Sequence, residues 1–459
     1  MSDNLNPGQH ASGLRYMYFV TAVAALGGLL FGYDTAVIAG AIGSIETRFQ
    51  LSPVMTGWAA SSAIWGCVIG AMFAGYFSDR WGRKRILLIT ALLFALSAIG
   101  SALPNSLAQF VFARFIGGVG VGAASMLSPM YIAELAPANK RGMLVTLYQL
   151  AIVLGINLIY FVNLKIAGLG SEAWNIETGW RLMLGSETIP AILFLGALFF
   201  VPESPRWLAG KNRNQEALHV LERINGPARA AVVLDEVRQT LQEEKGTIRE
   251  LFAPGMRKAM WVGMFLALFS QITGINAIIY YAPEIFKNVG FGTDSALFQT
   301  LIIGIINTLF TFVAIKFIDQ VGRRKLLLIG VTGMAICLVG VGVVFHFNLN
   351  SGFLLLLFIL GFIASFASSL GPIPWVIISE IFPTKTRGIA MSFATFTLWI
   401  GVVLITQFTP VLLENAGGAT TFWIFAFNAI LLILFTYFRI PETKGKTLEE
   451  IEHYWKGNL

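Results

Sequence analysis

The chain has 459 residues, 56% of them hydrophobic and only 12% charged, and its mean hydropathy is +0.71. That leaves too few polar groups to clothe a water-soluble globule, so the chain is expected to live in a bilayer. A net charge of +7 would suit nucleic acid, but the basic residues are confined to alternate loops, which points to membrane orientation instead.

The opening "MSDNLNPGQHASGL" is polar and lacks the basic region of a cleaved signal peptide, so the first apolar segment is expected to remain as a helix. About twelve apolar runs follow, each near the ~20 residues that cross ~30 Å of hydrocarbon. They centre on Leu26, Ile64, Leu93, Gly120, Leu154, Leu193, Leu268, Ile306, Leu338, Leu360, Val402 and Leu431. Runs such as "SGFLLLLFILGF" are continuously apolar, which predicts helices rather than strands. In the first run, "GGLLFGYDTAVIAG" places Asp34 in an otherwise uncharged segment. An ionised carboxylate there costs at least several kcal/mol unless it faces the bundle interior, meets a counter-charge or takes up a proton. Cys67 and Cys337 sit inside apolar runs without paired Cys or His spacing, so neither a disulfide framework nor a metal site is expected.

The basic clusters "DRWGRKR", "NKRG", "GRRK" and "TKTRG" follow even-numbered runs, whereas "LPNSLAQ" and "ENAGGAT" carry almost no Lys or Arg. The positive-inside bias then puts the basic loops and both termini in the cytoplasm. One long polar segment divides the chain. It predicts an N-terminal six-helix bundle over 1–201, a linker over 202–256 and a C-terminal bundle with a short tail over 257–459. In the linker, Leu218, Leu221 and Ile224 form one helical stripe, and Leu234, Val237 and Leu241 another, predicting short amphipathic helices on the cytoplasmic face.

The two halves repeat each other. "ELAPANKRG" matches "EIFPTKTRG", "DRWGRK" matches "DQVGRR", and "VPESPRWL" matches "IPETKGKTL", all at nearly one separation. Parallel repeats of this kind bind substrate at midplane between them and rock about it. The predicted fold class is therefore an all-α membrane protein, with twelve transmembrane helices in two pseudo-symmetric bundles.

With "GYFSDRWGRKR", "YIAELAPANKRG", "VPESPRWL", "GINAIIYYAPEIF", "GPIPWVIISEIFP" and "PETKGKTLEE", nearly the whole chain resembles the sugar porter family of the major facilitator superfamily. "LLFGYDTAVIAG" and "ASMLSPMYIAELAP" look closest to its bacterial D-xylose/proton symporter branch. The resemblance implies the major facilitator fold, a monosaccharide and protons as partners, and no cofactor.

In the symporters the chain resembles, the Arg at the position of Arg114 pairs with the first-helix Asp, here Asp34, and facilitative members typically carry a neutral residue there. Pairing that breaks on protonation would tie proton occupancy to conformation; a fixed ion pair that only joins two helices is the other reading. Glu187 resembles the family's sixth-helix relay acid, or is a helix-packing polar residue. By resemblance the sugar meets Gln149, Gln271, Asn276 and Asn307, with Tyr280 and Trp375 as aromatic partners. Amides supply both donors and acceptors to hydroxyls, and aromatics suit the ring face. A buried amide can also simply bridge helices, and Trp375 can be an interfacial anchor. Three positions depart from the family pattern: Ser270 in "FSQITGIN", Leu398 in "TLW" and Ile156 in "LGINL". Together with Ile279 they are candidate specificity positions, and Ile156 brings D-glucose into competition with D-xylose.

The cytoplasmic motifs resemble latches. Asp79 is expected to accept from a helix N-terminus across the half, and Arg83 to reach Glu134 or Glu203, with Arg141 beside them. Arg323, Glu380, Arg387 and Glu442 form the mirrored set, expected to tie the cytoplasmic ends together in the outward-open state and to separate in the inward-open one. The basic residues could alternatively serve topology alone. "GVGVGA" formally fits a dinucleotide fingerprint, but it lacks the acidic residue ~20 positions on, and Gly118 with Gly122 reads as a close-packing pair. No nucleophile, base and metal constellation appears, so an enzyme is not expected.

The expected activity is proton-coupled import of a pentose or hexose, D-xylose or D-glucose first, across the cell inner membrane by a monomer. The alternatives are a proton-independent uniporter and a transporter-like sugar sensor.

Overall fold

A computed structural model describes residues 7–137, 140–242, 248–253, 256–349, 352–382, 386–446, 450–451 and 454–455. Among them, twelve helices are long and apolar enough to cross a membrane. They are α1 Gly13–Phe49, α2 Pro53–Trp81, α3 Arg83–Ala102, α4 Leu107–Leu135, α5 Met143–Ala167 and α6 Glu172–Leu198, then α7 Met256–Lys287, α8 Thr293–Ile318, α9 Arg323–His346, α10 Gly352–Glu380, α11 Gly388–Asn415 and α12 Gly417–Arg439. Each predicted apolar centre falls inside one of them.

Lipid is as apolar as leucine, so helices in a bilayer adhere by close packing rather than by hydrophobic exclusion. The sequence meets this demand with glycine. Gly66 and Gly70 of α2 lie against the Phe115 and Val119 carbonyls of α4, and Gly118 and Gly122 of α4 lie against the Ala63 and Cys67 carbonyls of α2. A Cβ at any of the four would collide with backbone, so the two helices interlock reciprocally. Gly32 against Ile152 and Gly155 against Leu29 repeat the device between α1 and α5.

Four helices are broken where polar chemistry concentrates. α1 turns at Val37, three residues after Asp34. α6 has a π segment at Asn175–Gly179 and a second break at Ser186 and Glu187. α7 breaks between Ile272 and Ile275 at Gly274, whose φ of 93° is left-handed and disfavours any side chain. In α10 a π segment at Phe366–Leu370 runs into "GPIP", where two prolines withhold backbone donors.

Between α6 and α7 the chain forms short helices at Pro205–Gly210, Asn214–Asn225, Pro227–Gln242 and Ile248–Leu251. Asn214–Asn225 buries Ala217, Val220, Leu221 and Ile224, with Leu218 only half-buried, so its buried stripe is turned toward Ala217 and Val220 relative to the one the sequence suggested. It docks on the start of α1, where the Arg223 guanidinium lies 3.9 Å from the Tyr16 ring centroid and Gly13 meets the Ile224 carbonyl.

Candidate functional site

The break in α1 delivers Asp34 to the interior of the first bundle, where it is 0% exposed. Arg114, 1% exposed, comes from α4 and holds it at two points. Nη1 donates to Asp34 Oδ1, and Nη2 donates to the Asp34 carbonyl at 2.8 Å. Glu187 arrives from the break in α6, is 1% exposed, and interacts with both Asp34 and Arg114. The Tyr33 and Ser186 hydroxyls, 2.7 Å apart, tie α1 to α6 beside it. Asp34 Oδ2, Glu187 Oε1 and Arg114 Nε are buried without a protein partner. Two carboxyls face one guanidinium, so the cluster is neutral only when it also holds one proton. Buried charges are tolerated when neutralised in this way.

In the second half the break at Gly274 sets Gln271 and Asn276 on either side of one turn. Asn276 Nδ2 donates to Gln271 Oε1 at 2.7 Å, and Gln271 Nε2 donates to Ser270 Oγ at 2.9 Å. Ser270 is buried and donates to its own helix at the Ala267 carbonyl, 2.7 Å away, so it orients Gln271 and presents no free donor. Of the adjacent tyrosines, Tyr281 donates to the Thr406 carbonyl at 2.8 Å, while the Tyr280 hydroxyl faces Thr35, next to Asp34. Tyr280 thus joins the second half to the charge cluster of the first. Asn307 and Leu398 are buried, Ile156 is buried on α5, and Gln149 and Ile279 are half-buried. Trp375 sits just after the "GP" break with 37% exposure, and it is Trp399 beside Leu398 that packs on Phe31 of the first half, ring centroids 5.7 Å apart.

The halves meet at the end remote from the basic loops. Gly57 of α2 lies on the Gln407 carbonyl of α11. Ser61 Oγ donates to Gln407 Oε1 at 2.5 Å, and Gln407 Nε2 donates to the Val54 carbonyl at 3.2 Å. Asn157 of α5 donates to Thr308 of α8, and Tyr160 donates to the Ile279 carbonyl at 2.7 Å. The outer side is therefore closed. Gln407 went unnoticed as a site residue; its only signal was an amide in an apolar run, whereas Asn157 stood out as the amide next to Ile156.

On the basic face Arg83 reaches Glu134 as expected, and the contact of Asp79 differs. Arg83 pairs with Asp79 at 2.9 Å and with Glu134 at 3.0 Å, and its backbone N–H, with that of Lys84, donates to Glu203 at 2.8 and 3.1 Å. Glu203, not Asp79, thus caps the N-terminus of α3, because the α6 exit carries it there while Asp79 stays exposed beside Arg83. Burial pushes the Glu203 carboxyl above the usual carboxylate range, against the pull of the backbone N–H groups and Arg83. The second half repeats the pattern: Arg323 meets Glu380 at 3.1 Å, and Glu442 accepts from the Arg323 and Arg324 N–H groups at 2.9 and 3.1 Å. Each of these described ion pairs stays within one half and is intact while the outer side is closed. In this conformation they brace each half internally. The side chains of Arg141 and Arg387 lie outside the described residues.

A family model described as "Sugar (and other) transporter" matches residues 20–455. The chain belongs to the sugar transporter family. It is 47% identical over 450 residues to the arabinose-proton symporter of Bacillus subtilis (strain 168), spanning 98% of this chain and 97% of the relative. To the D-xylose-proton symporter of Escherichia coli (strain K12) it is 42% identical, spanning 96% of each. The partially occluded inward open structure of the xylose transporter XylE from E. coli superposes with a TM-score of 0.86 at 41% identity, covering 94% of this chain and 100% of that one. XylE bound to 6-bromo-6-deoxy-D-glucose gives 0.79 at 41% identity, covering 96% and 100%. The match to the partially occluded inward open form agrees with the closed outer side. The chain is a multi-pass membrane protein with the major facilitator fold, and a transporter rather than an enzyme.

Proposed function

We propose that the chain is a proton-coupled monosaccharide symporter of the bacterial inner membrane, importing a pentose or hexose by alternating access. The observation that carries this reading is the buried Asp34–Arg114 pair with Glu187 beside it. A facilitator needs no such charge, whereas a proton carrier needs a carboxylate whose neutralisation changes a contact. Protonation of Asp34 weakens the grip of Arg114, which frees α1 from α4; Tyr280 and Thr35 pass that change to α7 and the sugar. Glu187 holds the alternative proton position. The halves 1–201 and 257–459 rock about the sugar, 202–256 serves as linker, and both termini lie in the cytoplasm. A monomer in the lipid bilayer suffices, since the described gating contacts all lie within one chain.

Gln149, Gln271, Asn276, Asn307, Tyr280 and Trp375 bind the sugar. D-xylose and D-glucose remain candidates, and arabinose joins them on the strength of the Bacillus relative's name. The decisive experiment is uptake into proteoliposomes with and without an inward proton gradient, for wild type and Asp34→Asn. Wild type should concentrate one sugar under the gradient, and Asp34→Asn should only exchange it. If both proteins equilibrate sugar alike and ignore the gradient, Asp34 is structural and the protein is a uniporter.

A further inference from the structure

We infer that Asn157, which neither the family pattern nor the sugar set above includes, contacts the sugar and helps to select it. The inference rests on the sugar-transport reading. Ile156 leaves α5 without an amide at the position where D-xylose symporters carry one, and it is buried. The next residue supplies the missing group. Asn157 Nδ2 is held by Thr308 Oγ1, which itself donates to the Gly304 carbonyl at 3.1 Å. This chain fixes the amide plane and leaves Oδ1 beside Gly304, where the absent Cβ makes room for it. Asn157 Oδ1 is buried with no protein partner. Buried amide oxygens are rarely left unpaired, so the unmet Oδ1 acceptor marks a place for a donor. Members of the sugar set lie one residue from its partners in the chain: Asn307 precedes Thr308, and one turn along α5 Tyr160 holds the Ile279 carbonyl next to Tyr280. The donor that fits is one hydroxyl of a monosaccharide.

The test is equilibrium binding of L-arabinose, D-xylose and D-glucose, and of the single-deoxy derivatives of whichever binds tightest, to purified wild type and Asn157→Leu. Losing one neutral hydrogen bond should weaken the parent sugar about two- to tenfold. One deoxy derivative, lacking the hydroxyl read by Oδ1, should bind both proteins equally, whereas the other derivatives keep the full loss. Thr308→Val should weaken the same hydroxyl's contribution by releasing the amide. If Asn157→Leu does not yield folded protein, Asn157→Ser carries the same comparison. A uniform loss across all derivatives, or no loss, overturns the inference and leaves Asn157 as a tie between the halves. Failure of wild type to bind any of the sugars would overturn the sugar reading as well.

Discussion

Replacing Gln407 by Leu should open the outer side. Two neutral hydrogen bonds disappear, from Ser61 at 2.5 Å and to the Val54 carbonyl at 3.2 Å. Each is worth roughly 0.5–1.5 kcal/mol net, and the second is solvent-exposed, so the closed state should lose about 1–2 kcal/mol. Ser61 keeps a fallback acceptor in the Trp58 carbonyl at 3.4 Å, so no buried donor is stranded. Such a loss changes an equilibrium constant by about 5- to 30-fold, enough to turn a minor outward-open population into a major one. Nitroxides at Ser52 and Asn415, beside the outer ends of α2 and α11, report the separation by pulsed electron resonance. The Gln407→Leu distribution should gain a longer-distance population. Gly57→Ala should shift it the same way, because its Cβ would collide with the Gln407 carbonyl. An unchanged distribution in both variants would mean that the clasp does not set the conformational balance.

Gly118→Leu should abolish recovery of monodisperse protein, because the new side chain would enter the Ala63 carbonyl, while Gly196→Leu, with nothing within 4 Å, should purify normally; size-exclusion profiles compare the two. Ser270→Gln should lower the melting temperature, since Ser270 is buried against its own helix, and weaken sugar binding by releasing Gln271, whereas Leu398→Gln should shift the pentose-to-hexose ratio in competitive uptake. Glu203 predicts a pH dependence. Its folded pKa is raised above 4.5 by burial, so in the window above 4.5 the folded state binds more protons than the unfolded one, and Glu203's contribution to stability falls as pH rises. Thermal melts from pH 4.5 to neutral should show that component in wild type and lack it in Glu203→Gln.

The span pattern was legible because a bilayer imposes length and apolarity on every crossing segment, and no packing detail can override it. The Asp34–Arg114 pairing was legible too, since the family resemblance paired those positions and a buried charge needs a partner. What escaped the sequence depends on rotation about helix axes. Ser270 and Gln271 adjoin in the chain, yet one turns back on Ala267 while the other reaches Asn276. The break at Ser186 and Glu187 lies between Gly185 and Pro190, which cannot donate to the Ser186 carbonyl, so the signal was present in "LGSETIP" and went unused. Gln407 resembles any amide in an apolar helix until Gly57 is seen lying on its carbonyl. The brace partners Arg83, Glu134 and Glu203 were legible from the repeated motifs, but Asp79 was given the helix-capping role that Glu203 fills, because spacing alone does not say which acid reaches the N-terminus.

That each half closes on itself has a consequence for assembly. Glu203, beyond the sixth helix, caps the third; Glu442, beyond the twelfth, caps the ninth; and Asn214–Asn225 docks on α1 rather than on the second half. Neither unit borrows its fastening from the other. Two polypeptides produced by severing the chain after Gln242 would each retain every brace described here, and would have the outer clasp, the Tyr280–Thr35 contact and the Phe31–Trp399 packing to rebuild on meeting in the membrane.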